Sequence, residues 1–331
     1  MIGNEETRPT AENYRRFARL EARGRSPLYE GLTEGVAEDP EVLRLLASLP
    51  PAKRQPNLLL GVVQYLYGTA FDYPSFRRVV VEKWTEVSST MLARRTQTNE
   101  VGRCAILLPL LAALPQPLGL LEVGASAGLC LLVDRYRYDY GRGIVGQENS
   151  PVLLHCEPRG FSTPMPNRLP EVVWRAGIDL DPLDPRDESA TRWLEALVWP
   201  GEGDRVARLR AAIEVARQDP PSVLKADLRA DLSEIIAEVP SGATLVIFHS
   251  AVLAYVPPSD RKAFAAEVAR LGAVWVANEG ADVLPAVRRQ VGDNELAEHQ
   301  GHFLLSRDGN PIAWADPHGS WLQWRGEETW Q

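Results

Sequence analysis

From Asn13 to Leu114 the apolar residues recur at intervals of three and four, the period of an amphipathic helix. Tyr14, Phe17 and Leu20 make one such face, Val42, Leu45, Leu46 and Leu49 another, and a longer run extends from Phe76 through Met91 to Leu111. Proline breaks the pattern at Pro27, Pro40, Pro50, Pro51, Pro56 and Pro74, which predicts several helices joined by short turns. After Pro115 the texture changes. The apolar run LGLLEV ends in a glycine turn and is followed by AGLCLLVDRYRYDY at helical period, so strand, tight turn and helix are expected in succession. The strand-like runs EVVWRAGIDL, SVLKADL, ATLVIFHS and AVWVAN are separated by helical ATRWLEALVW, DRVARLRAAIEVARQ and SDRKAFAAEVARL. Apolar strands alternating with amphipathic helices predict an α/β fold with a doubly wound parallel sheet. HFLLSRDGNPIAWAD and SWLQWR close the chain as alternating runs with an Asp308-Gly309 turn, which predicts a terminal antiparallel hairpin. The expected organisation is a helical N-terminal region over 1–115 and an α/β domain over 116–331. An insertion at about 141–170, rich in Gly, Pro and Asn, carries its own strand at VLLHC.

With 331 residues, 45% of them apolar, the chain is long enough for one large or two smaller cores. The net charge is −8 and arginines are interspersed with acids, which argues against nucleic acid or an anionic membrane and for a small-molecule substrate. Cys104, Cys130 and Cys156 lack C-x-x-C spacing and read as buried packing thiols. MIGNEETRPT lacks the basic and apolar regions of a signal peptide, and the apolar stretch Ala105 to Val133 is interrupted by Pro109, Pro115, Pro117 and Glu122. A cytoplasmic protein is expected, with its oligomeric state left open.

The stretch LLEVGASAGL, Leu120 to Leu129, contains Gly124-x-Ser126-x-Gly128, the spelling of a serine-hydrolase nucleophile elbow. A Ser126 hydrolase would need sheet strands and an oxyanion loop before this turn, where the sequence reads as helical. Histidines do follow, at positions 155, 249, 299, 302 and 318. The dinucleotide fingerprint fits worse, since its second and third glycines would fall at Ser126 and Leu129. Glu122-x-Gly124-x-Ser126-x-Gly128 is close instead to the acidic, glycine-rich first loop of S-adenosylmethionine-dependent methyltransferases. In that reading Gly124 and Gly128 let the backbone turn near a ligand, and the next helix aims its amides at the cofactor's polar end. Glu122, at the carboxyl end of its strand, receives the cofactor's amino group. The plainer alternative has Glu122 capping nearby amides and the glycines packing helix on strand.

Further strands supply matching residues. Asp179 ends a strand-like run and offers two acceptor oxygens to ribose hydroxyls, with Glu157 after VLLHC as its rival. Asp227 is placed to reach the adenine amine, and His249, Ser250 and Tyr255 to surround the reacting group. His249 or Glu279 would serve as general base. Tyr65 and Tyr67 read as core, and His299-x-x-His302 lacks a third ligand, so no metal is expected.

QTNEVGRCAILLP, LLEVGASAGLCLLVDRYRYDYG, RAGIDLDPLD, WLEALVWP, DPPSVLKADL and FHSAVLAYVPPSDR together resemble the bacterial domain-of-unknown-function family 2332 across nearly the whole chain. That family is similar to class I S-adenosylmethionine-dependent methyltransferases. The resemblance implies a class I methyltransferase-like, Rossmann-like doubly wound sheet, preceded by the helical region, with S-adenosylmethionine as cofactor. It further implies that Asn99 and Glu100, on a helix before the first strand, face the cleft and that Arg103 pairs with an acid. Ser126 departs from the superfamily's usual middle glycine. The expected activity is methyl transfer to a small-molecule nucleophile. Aminocarboxypropyl transfer or cyclisation of the same cofactor, and a non-catalytic cofactor-binding role, remain open beside it.

Overall fold

The computed structural model of the chain describes residues 4–160 and 163–326; positions 161–162 of the expected insertion and the two termini lie outside the described residues. Helices come first: α1 (Asn4–Phe17), continued by a π-helical turn at Ala18–Ala22, then α2 (Pro27–Glu38), α3 (Pro40–Ala47), α4 (Pro56–Tyr67), α5 (Tyr73–Glu82), α6 (Trp84–Ala93) and α7 (Arg103–Ala113). Proline occupies the first turn of α2, α3, α4 and α5, where its missing N–H costs nothing. Ser26 and Asp39 cap α2 and α3 by accepting from Tyr29 N and from Glu41 and Val42 N.

Strand β1 (Leu118–Val123) opens the sheet. It is followed by β2 (Arg137–Asp139), β3 (Ile144–Gly146), β4 (Leu153–His155), β5 (Glu157–Arg159) and β6 (Val172–Asp179). Next come α8 (Glu188–Ala196), α9 (Gly203–Gln218), β7 (Ser222–Lys225), α10 (Leu232–Ile236), β8 (Thr244–Ser250), α11 (Pro258–Arg270) and β9 (Val274–Gly280). The described chain closes with α12 (Pro285–Arg288), α13 (Asp293–Glu298), β10 (Phe303–Arg307), β11 (Asn310–Ala315) and β12 (Trp321–Trp324).

Two compact units result: one runs to Thr98 and takes in Asp187–Ala207, the other comprises Asn99–Arg186 and the chain from Arg208 onward. The division therefore falls earlier than the expected boundary at 115, and α8 returns to the helical unit. α7 goes with the sheet because it is buried on every side from Arg103 to Leu111, as an internal helix is. In the helical unit the Trp199 ring lies 5.5 Å from both Phe17 and Tyr29, and Trp193 Nε1 donates to Arg95 O.

The second unit is built on a nine-stranded sheet in the order β5-β12-β11-β10-β9-β8-β1-β6-β7. β9, β8, β1, β6 and β7 are mutually parallel. Counted along the chain these five run 3-2-1-4-5, the order of open doubly wound sheets, with the switch between β1 and β8. β10 is antiparallel to β9 and forms the expected hairpin with β11. Its turn residues Asp308 and Gly309 have φ of 51° and 78°, as a type I′ turn requires. β12 and β5 extend that edge, and β3-β2-β4 form a separate small sheet. Leu121, Val123, Ile178 and Ile247 face a core completed by Leu232 of α10 and by Phe264 and Val268 of α11.

The helix expected after β1 is absent. Leu129–Arg135 forms a kinked 3-10 segment and the chain then enters β2. Leu129 to Val133 are all buried, so no polar face exists for an amphipathic helix. Tyr136, Tyr138 and Tyr140 are buried at strand period and donate to the carbonyls of Leu129, Val133 and Ala105.

Gly177 of β6 lies opposite Glu122, and a Cβ there would stand 2.5 Å from Ala125 Cβ. Gly177→Ala is expected to lower stability by about 1–3 kcal/mol through overpacking, measured by urea denaturation; an unchanged midpoint would contradict this packing.

Candidate functional site

Five parallel strands bring their carboxyl ends to one edge, and in open sheets ligands bind beyond such ends at the switch point. Glu122, Asp179, Ser250, Asn278 and Glu279 all stand on that edge. The loop after β1 is turned by three left-handed residues, Gly124 at φ 74°, Ser126 at 53° and Gly128 at 69°. Its amides are consumed within the protein. Gly124 and Ala125 N–H donate to Ile178 O, and Gly128 N–H donates to Ala125 O. Ser126 N–H donates to Asp179 Oδ2 at 2.8 Å and Ala127 N–H to Asn99 Oδ1 at 3.2 Å. The expected cradle of amides at a helix N-terminus is therefore not formed. The glycines serve close packing as well: a Cβ on Gly124 would lie 2.4 Å from Val252 Cγ2, and one on Gly128 would lie 2.9 Å from Pro221 Cβ.

Asp179 is half-buried, and its other oxygen accepts from Asp181 N–H at 2.8 Å. Each carboxylate oxygen offers about two lone pairs, so these amides take one from each oxygen. Glu157, the alternative acid, lies in β5 at the far edge of the sheet and pairs with Arg159. Asp227 follows β7 and is engaged by Arg229 through both oxygens, which holds its carboxyl below the usual range.

Glu122 alternates with Leu121 and Val123 and so points to the opposite face from their core. It is 6% exposed, and its Oε2 has no hydrogen-bond partner among the described residues. Burial, then Cys130 and the Asp179 carboxylate, push its carboxyl well above the usual range, while Arg103 pulls the other way. Among the described residues Arg103 makes no ion pair with an acid, contrary to expectation. Its Nε donates to Pro317 O and its Nη1 to Ser250 O, and its guanidinium lies 5.5 Å from the Phe303 ring. Ser250 Oγ accepts from Asn278 Nδ2 at 2.9 Å, and the buried Asn278 Oδ1 has no partner among the described residues. Glu122, Arg103, Ser250 and Asn278 thus form one polar group across β1, β8 and β9.

Asn99 and Glu100 precede α7 in irregular chain and do not lie on a helix. Asn99 Nδ2 donates to Ser126 Oγ at 2.6 Å, and Glu100 Oε1 accepts from Gly102 N–H and Arg208. Their side chains bind nearby backbone instead of continuing a helix. Ser126 Oγ is thereby an acceptor for an amide, an arrangement unlike a nucleophile elbow.

His249 was expected as a general base, and the structure gives it a different setting. It is fully buried; Trp275 Nε1–H donates to its Nε2 at 3.0 Å, and its Nδ1 lies 2.7 Å from Glu279 Oε1. Indole only donates, so Nε2 accepts and Nδ1–H donates to Glu279. Both ring nitrogens are occupied. Glu279 Oε1 also accepts from Val252 and Leu253 N–H. Burial opposes its charge, but these donors prevail and hold its carboxyl below the usual range. Neither residue presents the vacant nitrogen or elevated carboxyl of a general base. Tyr255 is 77% exposed on the turn beyond β8.

Among the other sequence candidates, Tyr67 donates to Glu86 at the surface and His299 stacks on Trp314 at 4.6 Å. His302 packs edge-on against Trp321. Among the described residues no three His, Cys, Asp or Glu side chains are grouped to hold a metal, and no helix is long and apolar enough to cross a membrane. Sequence reading missed Asn278 and the Asp316–Ser320 loop. Pro317 of that loop meets Arg103, and His318 Nδ1 lies 3.5 Å from Glu100 Oε2. Asparagine inside the apolar run AVWVAN was the available signal for the first; nothing local marks the second.

An acid that binds its proton more tightly folded than unfolded contributes stability below its ordinary value, here 4.5, and loses it as pH rises toward the folded value. Glu122→Gln is therefore expected to stabilise the ligand-free protein at neutral pH by about 1–3 kcal/mol and to flatten the decline of stability above the ordinary glutamate range. Denaturant titrations across pH check this; equal pH profiles would refute it.

No curated protein and no solved structure matches the chain. The model of a bacterial family, described as uncharacterized protein conserved in bacteria (DUF2332), matches residues 11–324, and the chain belongs to that family.

Proposed function

We propose that the carboxyl edge of the parallel strands binds S-adenosylmethionine and that the protein transfers its methyl group to a small-molecule nucleophile. The observation that carries this reading is Glu122: a buried carboxyl at the switch-point strand with an oxygen that no group among the described residues satisfies. An unsatisfied buried acceptor is costly, and a ligand ammonium group would remove the cost. Asp179 fits a vicinal diol, since two amides fix its plane and a second lone pair on each oxygen remains for the two hydroxyls. The negative end of the cofactor falls to Arg103, whose Nη2 makes no hydrogen bond among the described residues. The loop amides take no part, because each is already bonded.

When bound, S-adenosylmethionine supplies an electrophilic methyl group on a sulfonium. The chain's own residues then have positioning and exclusion of water as their task. Glu122 gives up its proton on meeting the ammonium, Asp179 fixes the ribose, and Asn278 Oδ1 is left to accept an N–H or O–H of the methyl acceptor. His249 and Glu279 act by holding the Val252 turn against Gly124. In this reading they position the site and do not exchange protons with substrate.

Isothermal titration with S-adenosylmethionine and S-adenosylhomocysteine is the test. Both are expected to bind, and Asp179→Ala to weaken binding by tenfold or more, about the loss of one or two charge-assisted hydrogen bonds. Glu122 ionises in the complex, so the observed enthalpy is expected to vary with the buffer's ionisation enthalpy in the direction of proton release. Lack of binding by either compound, or binding indifferent to Asp179→Ala, would remove the reading.

A further inference from the structure

We propose that Tyr65, Arg94, Ser189 and Arg192 form a binding site for a phosphate group within the helical unit. Tyr65 lies near the end of α4, Arg94 follows α6, and Ser189 and Arg192 lie on α8. Arg94 Nη2 donates to Ser189 Oγ at 2.6 Å and to Tyr65 Oη at 3.4 Å, and the two hydroxyl oxygens lie 3.1 Å apart. The guanidinium carbon of Arg94 is 5.4 Å from the centre of the Tyr65 ring and that of Arg192 is 5.0 Å from it. Two cations and two hydroxyls therefore gather around one ring.

What is missing is an acid. Among the described residues neither Arg94 nor Arg192 makes an ion pair, in a chain with 44 acidic residues against 36 basic ones. Asp187 and Glu188 are the acids beside Ser189 in sequence, and Asp187 spends an oxygen capping α8 through Ser189 N–H. Lys53 Nζ donates to the backbone carbonyl of Arg94, which holds the segment that carries this guanidinium. Two guanidiniums around one ring repel, and a dianion bound by both would reverse the sign of the interaction. The Ser189 hydrogen bond draws the Tyr65 phenol below its usual range; burial opposes this, and the two arginines reinforce it, as a positive local potential demands.

Phosphate suits the donors. A guanidinium presents parallel N–H groups that match two phosphate oxygens, and hydroxyls complete the shell. Arg94 is held for this task by lying 5.8 Å from the buried Trp193 ring, while Arg192 is exposed and Ser189 half-buried. The site makes no use of Glu122 or Asp179 and stands apart from the cofactor proposal.

The test uses the full chain with ring-13C tyrosine, the Tyr65 resonance being assigned by Tyr65→Phe. Inorganic phosphate, methyl phosphate and acetate are titrated at constant ionic strength. Phosphate or its monoester is expected to shift the Tyr65 resonance saturably and to move its ionisation to higher pH, because bound anion offsets the guanidiniums. Arg192→Gln, which removes an exposed group with no hydrogen bond among the described residues, is expected to weaken binding about tenfold, and the Arg94→Gln, Arg192→Gln pair to abolish it. Tighter binding of the inorganic ion or of the ester identifies the source, and either supports the site. No saturation at tens of millimolar, an equal response to acetate, or unchanged affinity in Arg192→Gln would overturn it.

Discussion

The carboxyl edge of the sheet depends on one carboxylate. Asp179 reaches from the end of β6 to the loop after β1, where Oδ2 holds Ser126 N–H while Oδ1 holds Asp181 N–H. Ser126 is a non-glycine residue at φ 53°, a conformation that costs energy unless neighbours enforce it. Asn99 supplies the second restraint by bonding both Ser126 Oγ and Ala127 N–H. The loop is thus restrained by the fold itself, and the proposed ligand would meet an acid already fixed in plane, which lowers the ordering cost of binding.

A second anchor repeats this design one strand further on. Glu279 gathers His249 Nδ1–H, Val252 N–H and Leu253 N–H onto one oxygen, next to Ala251 at φ 58°. That arrangement fixes Val252 where Gly124 leaves no room for a side chain. The two left-handed turns, after β1 and after β8, flank the topological switch. Buried charges of this kind cost much when a hydrogen-bonding partner is removed. The histidine at the end of β8 belongs to this framework, and its chemistry is structural support.

Much of this was legible in the sequence, and the exceptions have physical causes. The parallel strands announced themselves as short apolar runs between helical patterns, and Asp308-Gly309 spelled its turn because few other pairs tolerate two positive φ angles. Glu122 and Asp179 were legible because strand ends locate acids relative to a sheet. The segment after Gly128 misled, since a uniformly apolar run carries no period by which helix and buried 3-10 turn differ. RYRYDY did carry the strand period and was read through as helix. The role of His249 lay beyond sequence, because it is decided by Trp275, a partner on the neighbouring strand. The same holds for Arg103, whose carbonyl partners Ser250 and Pro317 are far away in the chain.

The contrast between Asp179 and Glu122 separates what builds the edge from what the edge is for. Asp179, Glu279 and Glu100 each accept several protein donors, although Glu279 takes all of its donors on Oε1 and its Oε2, like that of Glu122, has no partner among the described residues. Glu122 is buried like Glu100 and Glu279, and among the described residues nothing donates to its Oε2, with the half-buried Asp179 nearby to make its charge less favourable still. A leucine or glutamine at that position would serve the core better, because replacing an orphaned polar group by a neutral or apolar one relieves its desolvation cost. Packing therefore supplies no reason for an acid at 122, and capping supplies none either, since the loop amides are bonded elsewhere. In the proposed reading a cationic ligand group at that oxygen accounts for the acid, and the orphaned Asn278 Oδ1 two strands away extends the same demand for donors toward the proposed methyl acceptor.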